Sequence, residues 1–355
     1  MNNASQTAGY AGTELTLVIP CYFDQNSAGS LFSLLRTYQS YADDVLARVC
    51  FVVVDDGSPL RWTLPNYDLN LVWLRINENI PWNNGGARNL GATVAHSDKI
   101  LLSDMDYVFP QETLRAILRK KNLGKRMYKF WCVDYELGCG RPMRPLRRFA
   151  AMLKGQSITR NGRPMGKNDN TFLLSRGRFL ELFGYDEEFS GEYGSEDVHF
   201  ALFHRCNGTR TLYFPPAYPC ITRAEVDRGR AYHSLSRKSE RNGEIFLRKK
   251  RELHTVQGGG HSRIFLNFTW QTLRVNHRPP PPSLFGLRGQ GKFGRPPFPG
   301  VGFAAAVFRG GFGLVLSFVF GALARGGGCK GMEHRLRLPL WDPGDEIRPT
   351  HPRGL

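Results

Sequence analysis

The chain has 355 residues and a formal net charge of +17, with 41% hydrophobic and 22% charged residues. That balance excludes whole-chain disorder, admits about two domains, and calls for anionic company: nucleic acid, phosphorylated ligands or a membrane surface. Seven cysteines, an odd number without C-x-x-C spacing, exclude a disulfide framework and a zinc ribbon and read as a reduced, cytoplasmic setting.

Met1 to Glu14 is polar and reads as a flexible N-terminus without a signal peptide. Residues 15–122 then alternate between strand and helix. Leu15–Pro20, Val49–Val54, Leu71–Ile76 and Ile100–Ser103 are short apolar runs that predict buried strands. Leu31, Leu34, Leu35 and Tyr38 keep helical spacing, as do Leu114, Ile117 and Leu118, and Gly86–Ala95 predicts a helix entered through a glycine turn. Apolar strands separated by helices imply an α/β fold, with a mostly parallel central sheet and helices on both faces.

Residues 123–270 read as a second, acceptor-side half of the same domain. Met127–Tyr135 and Thr171–Ser175 predict strands, and Arg141 to Lys167 predicts a long basic loop. Val198, Ala201, Leu202 and Cys206 predict the buried stripe of a helix. From about Trp270 the composition changes. No Asp or Glu occurs between Glu252 and Glu333, and Pro279–Pro282 is a stiff run. Residues 271–355 therefore read as an irregular, poorly ordered basic tail. Its apolar stretch Gly310 to Ala324, about 15 residues, is shorter than the roughly 20 needed to span a bilayer.

Polar groups follow the apolar strands directly. Pro20-Cys21-Tyr22 ends the first, Asp55-Asp56-Gly57-Ser58 the second, and Ser103-Asp104-Met105-Asp106 the fourth. In open α/β sheets the ligand crevice lies at these carboxyl ends. An Asp there can accept a base N–H, a Tyr can stack on the base, and a D-x-D can hold a hard divalent cation. Asn83 to Gly91 adds glycines, a helix start and Arg88, a combination suited to a diphosphate. Gly191-Glu192-Tyr193-Gly194-Ser195-Glu196-Asp197 places two acids at another helix start.

These five signals, in this order, resemble the family-2 glycosyltransferases of the GT-A fold. The stretch from Gly191 onward resembles the β-1,4-galactosyltransferase group, with His233-Ser234 and the following Lys238 and Asn242. The resemblance covers residues 15–250. It implies that Pro20 and Tyr22 flank uracil, Tyr22 stacking on it. Asp55 or Asp56 would hold the uridine, and Arg88 and Asn89 would lie near the nucleotide. Asp104 would approach the ribose or sugar, and Asp106 and His233 would bind Mn²⁺ or Mg²⁺. Asp197 would be the catalytic base and Glu196 would hold the donor sugar or the acceptor. Three positions depart from the family pattern: Phe23 where Asn is usual, Arg230 in place of a Met, and Tyr193 in place of Trp. His254 and His261 are expected to face solvent.

The activity so implied is metal-dependent, inverting transfer of a hexose or N-acetylhexosamine from a UDP-sugar to a glycan or glycoconjugate hydroxyl. The basic tail would favour an anionic membrane surface, giving a cytoplasmic protein peripheral at the membrane. A sugar-1-phosphate nucleotidyltransferase would need a G-x-G-T-R-like loop where Cys21 to Asp24 stands. A nucleic-acid-binding module, or an inactive GT-A domain served by its tail, would rest on charge alone. No nucleic-acid motif accompanies that charge, and no specific nucleic acid is expected.

Overall fold

Strands apolar on both faces need cover on both sides, and the computed structural model supplies it. It describes residues 12–24, 27–133, 157–158, 164–223, 235–255 and 259–278. In chain order these form β1 (Leu15–Cys21), α1 (Gly29–Gln39), α2 (Asp43–Leu46), β2 (Val49–Asp55), β3 (Asn70–Ile76), α3 (Asn84–Val94), β4 (Lys99–Leu102), β5 (Tyr107–Val108) and α4 (Gln111–Arg119). There follow β6 (Arg126–Val133), β7 (Ser157–Ile158), β8 (Pro164–Ser175), α5 (Arg176–Glu181), α6 (Glu196–Cys206), β9 (Arg210–Tyr213), β10 (Cys220–Thr222), α7 (Glu240–Thr255) and β11 (Trp270–Asn276).

The strands build one sheet in the order β11-β3-β2-β1-β4-β8-β6-β10-β5, with β7 paired to β8 and β9 to β6. The central block β3-β2-β1-β4 is parallel throughout. β8 joins it antiparallel to β4, and β11 closes the far edge antiparallel to β3. The fold is thus α/β with a sheet parallel at its centre.

Alternation along β1 separates two cores. Leu15, Leu17 and Ile19 point to one side with Leu31, Leu34 and Leu35 of α1 and Leu114 and Ile117 of α4. Val18 points to the other with Leu90 of α3, Phe179 of α5 and Phe200 of α6. Each fully buried Leu, Val or Phe stabilises this arrangement by about 1.5–3 kcal/mol. α3 lies very close to β1: a Cβ on Gly91 would sit 2.3 Å from Val18 Cγ1. The glycine therefore serves helix–strand packing.

Four expectations shift. β8 begins at Pro164, inside the expected basic loop, of which residues 141–156 and 159–163 lie outside the described residues. The buried face of α6 is His199, Phe200, Phe203 and His204, while Val198 is 58% exposed and Cys206 is exposed. The helix turns its aromatic and imidazole face inward because Phe172, Phe179 and Tyr185 form a ring surface for Phe200. β11 carries the sheet through Asn276, and Arg278 reaches Asp43 and Asp68, so the packed chain passes the expected boundary at residue 270. His261 is buried, with its ring against Phe203 and Asp186 nearby. Burial lowers its pKa. His254 is exposed as expected. The Pro run and the rest of the tail lie outside the described residues; among those described, no helix is long and apolar enough to cross a membrane.

Candidate active site

The carboxyl ends of β1, β2 and β4 open onto a cavity of about 260 Å³, closed from the opposite side by the start of α6. Pro20 and Cys21 end β1 in its wall and Tyr22 follows them, Asp56 follows β2, and Asp104, Met105 and Asp106 follow β4. Glu196 and Asp197 enter from α6. The helix can deliver both acids because Ser195, its N-cap, takes a left-handed backbone with φ of 72°. That conformation is uncommon for a residue with a side chain and turns the chain sharply between Gly194 and Glu196.

The sheet brings together seven of the expected site residues: Pro20, Tyr22, Asp56, Asp104, Asp106, Glu196 and Asp197. Tyr22 donates its hydroxyl to Asn79 Oδ1 at 3.2 Å. Asp56 accepts from Asn83 Nδ2 at 3.0 Å, and burial pushes its pKa up to about 7. Glu196 is likewise pushed up to about 7, by burial first and then by the adjacent Asp197 charge. Burial also raises Asp197, against the opposing pull of Arg88 and Tyr185.

Three expected residues do not line the cavity. Asp55 is buried and ion-paired to Arg75, and it accepts the Ser58 N–H at 2.8 Å. Of the two aspartates at the end of β2, Asp56 is therefore the one that lines the cavity. Arg88 is fully buried rather than presented to a diphosphate. One end of its guanidinium donates to Asp197 Oδ1 and to the Tyr185 hydroxyl at 2.7 Å. The other end donates to Asp104 Oδ1 at 2.5 Å and to the Asn170 carbonyl at 3.1 Å. It is a brace between the strand-end acid and the helix-start acid. Asn89 is also fully buried and ties α3 to Tyr185 and Glu187. The motif around Arg88 fits a phosphate loop by composition, but its side chains are spent on protein partners. His233 and Arg230 lie outside the described residues.

Among the described residues, Tyr185, Trp82, Asn170 and Leu235 join the site without an assigned role in the sequence. Tyr185, stacked on Phe200 at 4.2 Å, donates its hydroxyl to Asp197 at 2.8 Å. Trp82, at φ of 52°, lines the cavity, meets Tyr193 edge-on at 4.8 Å and donates Nε1 to the Ser236 carbonyl at 2.8 Å. Asn170 and Leu235 also line the wall. An aromatic residue inside the polar Pro81 to Asn84 segment was the available signal for Trp82; Asn170 and Leu235 carry none.

The implied divalent cation can be tested against this donor set. Among the described residues no group of three or more His, Cys, Asp and Glu is placed to hold a metal ion. The cavity does present an excess of carboxylates, which a diphosphate could approach only with added positive charge, since Arg88 is already committed to two of them. In character, hard oxygen donors at a strand end fit a hard divalent cation.

No protein-family model matches the chain, and no curated protein matches it. Solved structures do. A structure of Staphylococcus aureus TarS 1–349 is matched at 18% identity and TM-score 0.40, over 59% of this chain and 60% of that one. TarS 1–349 in complex with UDP-GlcNAc is matched at 17% identity and TM-score 0.42, over 68% of this chain and 67% of that one. The catalytic domain of Drosophila β1,4-galactosyltransferase 7 in complex with xylobiose is matched at 12% identity and TM-score 0.39, over 65% of this chain and 78% of that one. The chain thus spans three fifths of the first of these structures.

Proposed function

We propose that the protein is a glycosyltransferase that moves a hexose or N-acetylhexosamine from a UDP-sugar to a hydroxyl of a glycan or glycoconjugate. The observation that carries this reading is the convergence, on one cavity, of acids from three sheet-end and helix-start positions: Asp56, the Asp104–Asp106 pair, and the Glu196–Asp197 pair. Each position suits one part of the reaction.

Asp56 accepts a base N–H, and Tyr22 offers the uracil a ring face. Ligand binding in this way favours the ionised form of Asp56, whose carboxyl burial otherwise keeps protonated up to about pH 7. Asp106, with Asp104 beside it, would hold Mn²⁺ or Mg²⁺, which when bound offsets the charge of the leaving diphosphate. Trp82, Tyr193, Val198 and Leu235 form an apolar wall suited to a sugar face. A carboxylate of the Glu196–Asp197 pair takes the proton of the acceptor hydroxyl as its oxygen attacks the anomeric carbon. With one base and one displacement, the configuration inverts.

Isothermal calorimetry with UDP tests the reading. UDP is expected to bind in Mn²⁺ and to bind at least about tenfold more weakly after EDTA, a difference of about 1.4 kcal/mol. Equal affinity in both would remove the metal from the scheme, and no binding in either would remove the nucleotide.

A further inference from the structure

We infer that Arg223 is a positioning residue that sets the turn carrying Asp104 and Asp106 into the cavity. The inference rests on the glycosyl-transfer reading above and adds to it the residue that shapes the cation's oxygen donors.

The starting geometry comes from β10 and β5. Ile221 stands opposite Val108, and Thr222 opposite Tyr107, in an antiparallel pair. The same register places Arg223 opposite Asp106, and the Arg223 N–H donates to the Asp106 carbonyl at 3.0 Å. The buried side chain then reaches along the turn, and Nη1 donates to the Met105 carbonyl at 2.8 Å. Nη2 donates to the carbonyl of Ser30, in the first turn of α1, at 2.7 Å. One residue thus binds two consecutive peptides of the turn and ties them to the helix that follows the Tyr22 loop. Met105 and Asp106 both line the cavity.

The two acids of the turn are held by different means. Arg88 and Asn84 hold Asp104 through its side chain. Arg223 holds Asp106 through its backbone. A bond within the turn, from the Tyr107 N–H to the Asp104 carbonyl, is long at 3.3 Å, so an outside clamp matters. Hard divalent cations tolerate little error in donor geometry, and a displacement of about 1 Å can cost about 10²-fold in rate. A planar guanidinium suits the task because its fork serves carbonyls on two separate elements at once, which an ammonium does less well.

The test uses the full chain and calorimetry with UDP, in Mn²⁺ and in EDTA. Wild type is expected to gain at least about tenfold in UDP affinity from Mn²⁺. Arg223→Met should bind UDP in EDTA within about twofold of wild type, yet gain less than about threefold from Mn²⁺. Its kcat for UDP release from UDP-GlcNAc, UDP-Gal or UDP-Glc should fall about 10²-fold. Arg223→Lys keeps the charge and should recover part of the gain. A residue that merely supports the fold would lower Tm and leave the Mn²⁺ gain intact. Should Arg223→Met fail to fold by circular dichroism, Arg223→Lys decides: a gain between the two values supports the role, and a full gain overturns it. The assignment is also overturned if folded Arg223→Met keeps the full gain, or loses UDP affinity equally in Mn²⁺ and EDTA. A wild type that binds UDP no better in Mn²⁺ removes the metal from the reading and the role of Arg223 with it. A wild type that binds no UDP overturns the glycosyl-transfer reading itself.

Discussion

The parallel block β3-β2-β1-β4 and the half that begins at β6 treat buried charge differently. In the block, Asp55 and Arg75 pair inside a layer of apolar strands and reach only protein partners, Ser58 among them. In the second half, Lys249 of α7 is buried between Asp186 and Glu188, and so fastens that helix to the turn preceding the site. The positive-φ residues also divide unevenly. Of the non-glycine ones, Phe183, Ser195, Arg263 and Leu266 belong to the second half, and Trp82 stands at the edge of the first. The block is thus held by regular strands with charge buried for structure. The second half is held by irregular segments that charge pairs pin in place, and it delivers the helix-start acids. Arg88 is where the two meet: its helix belongs to the block and its partner Asp197 to the other half.

The largest effect should come from breaking that junction. Arg88→Met keeps most of the side-chain volume but leaves Asp104 and Asp197 facing each other without a cation. Removing one partner from a buried charge set costs about 3–5 kcal/mol. Urea unfolding should show a loss of that size, with UDP release nearly abolished because both acids lose their alignment. A loss below about 1 kcal/mol would mean the halves do not depend on this brace.

How far the chain could be read in advance divides along the same line. β1 and β2 were legible because strands buried on both faces are apolar at nearly every position, as in Leu15 to Pro20 and Val49 to Val54. The acids after them were legible because strand ends in such sheets face the ligand crevice. The partners of Arg88 are not legible, because Asp197 lies 109 residues away and only the folded chain brings them together. The face of α6 is hidden in the sequence because His199 and His204 behave as buried rings, which a count of aliphatic residues passes over. Burial holds both imidazoles well below their ordinary pKa, His199 at about 4 and His204 at about 3, so they pack uncharged. β11 is not legible because an edge strand with exposed residues from Trp270 to Leu273 carries no apolar run.

A smaller effect should sharpen the contrast. The pair Asp55 and Arg75 is structural if it can be replaced as a unit. Asp55→Leu or Arg75→Leu alone should cost about 3–5 kcal/mol, whereas the double replacement should cost much less, because neither charge is left stranded. UDP affinity of the double variant should stay within a few-fold of wild type, since Asp55 does not line the cavity. Calorimetry on that variant decides between Asp55 and Asp56 as the residue that meets the base. A large loss of affinity there would return Asp55 to the binding site.

The smallest effect concerns the backbone that aims the helix-start acids. Ser195 occupies the left-handed region at φ of 72° and makes no side-chain capping bond. A residue with a Cβ gives up about 1–2 kcal/mol there, which glycine avoids. Glycine loses about 0.5–1 kcal/mol more conformational entropy on folding, so Ser195→Gly should gain about 0.5 kcal/mol net. In a domain of this size that is a rise in Tm of about 1–2 °C, measurable by calorimetric scanning. The same change frees the turn on either side of Gly194, and the Glu196 carboxylate should then sample more positions. UDP release should fall a few-fold while UDP affinity stays constant, because positioning at the reacting atoms affects the transition state more than the bound donor. A drop in Tm would mean that Ser195 is not strained in the fold. An unchanged rate would mean that the direction of Glu196 is fixed by the packing of α6 rather than by the turn that starts it.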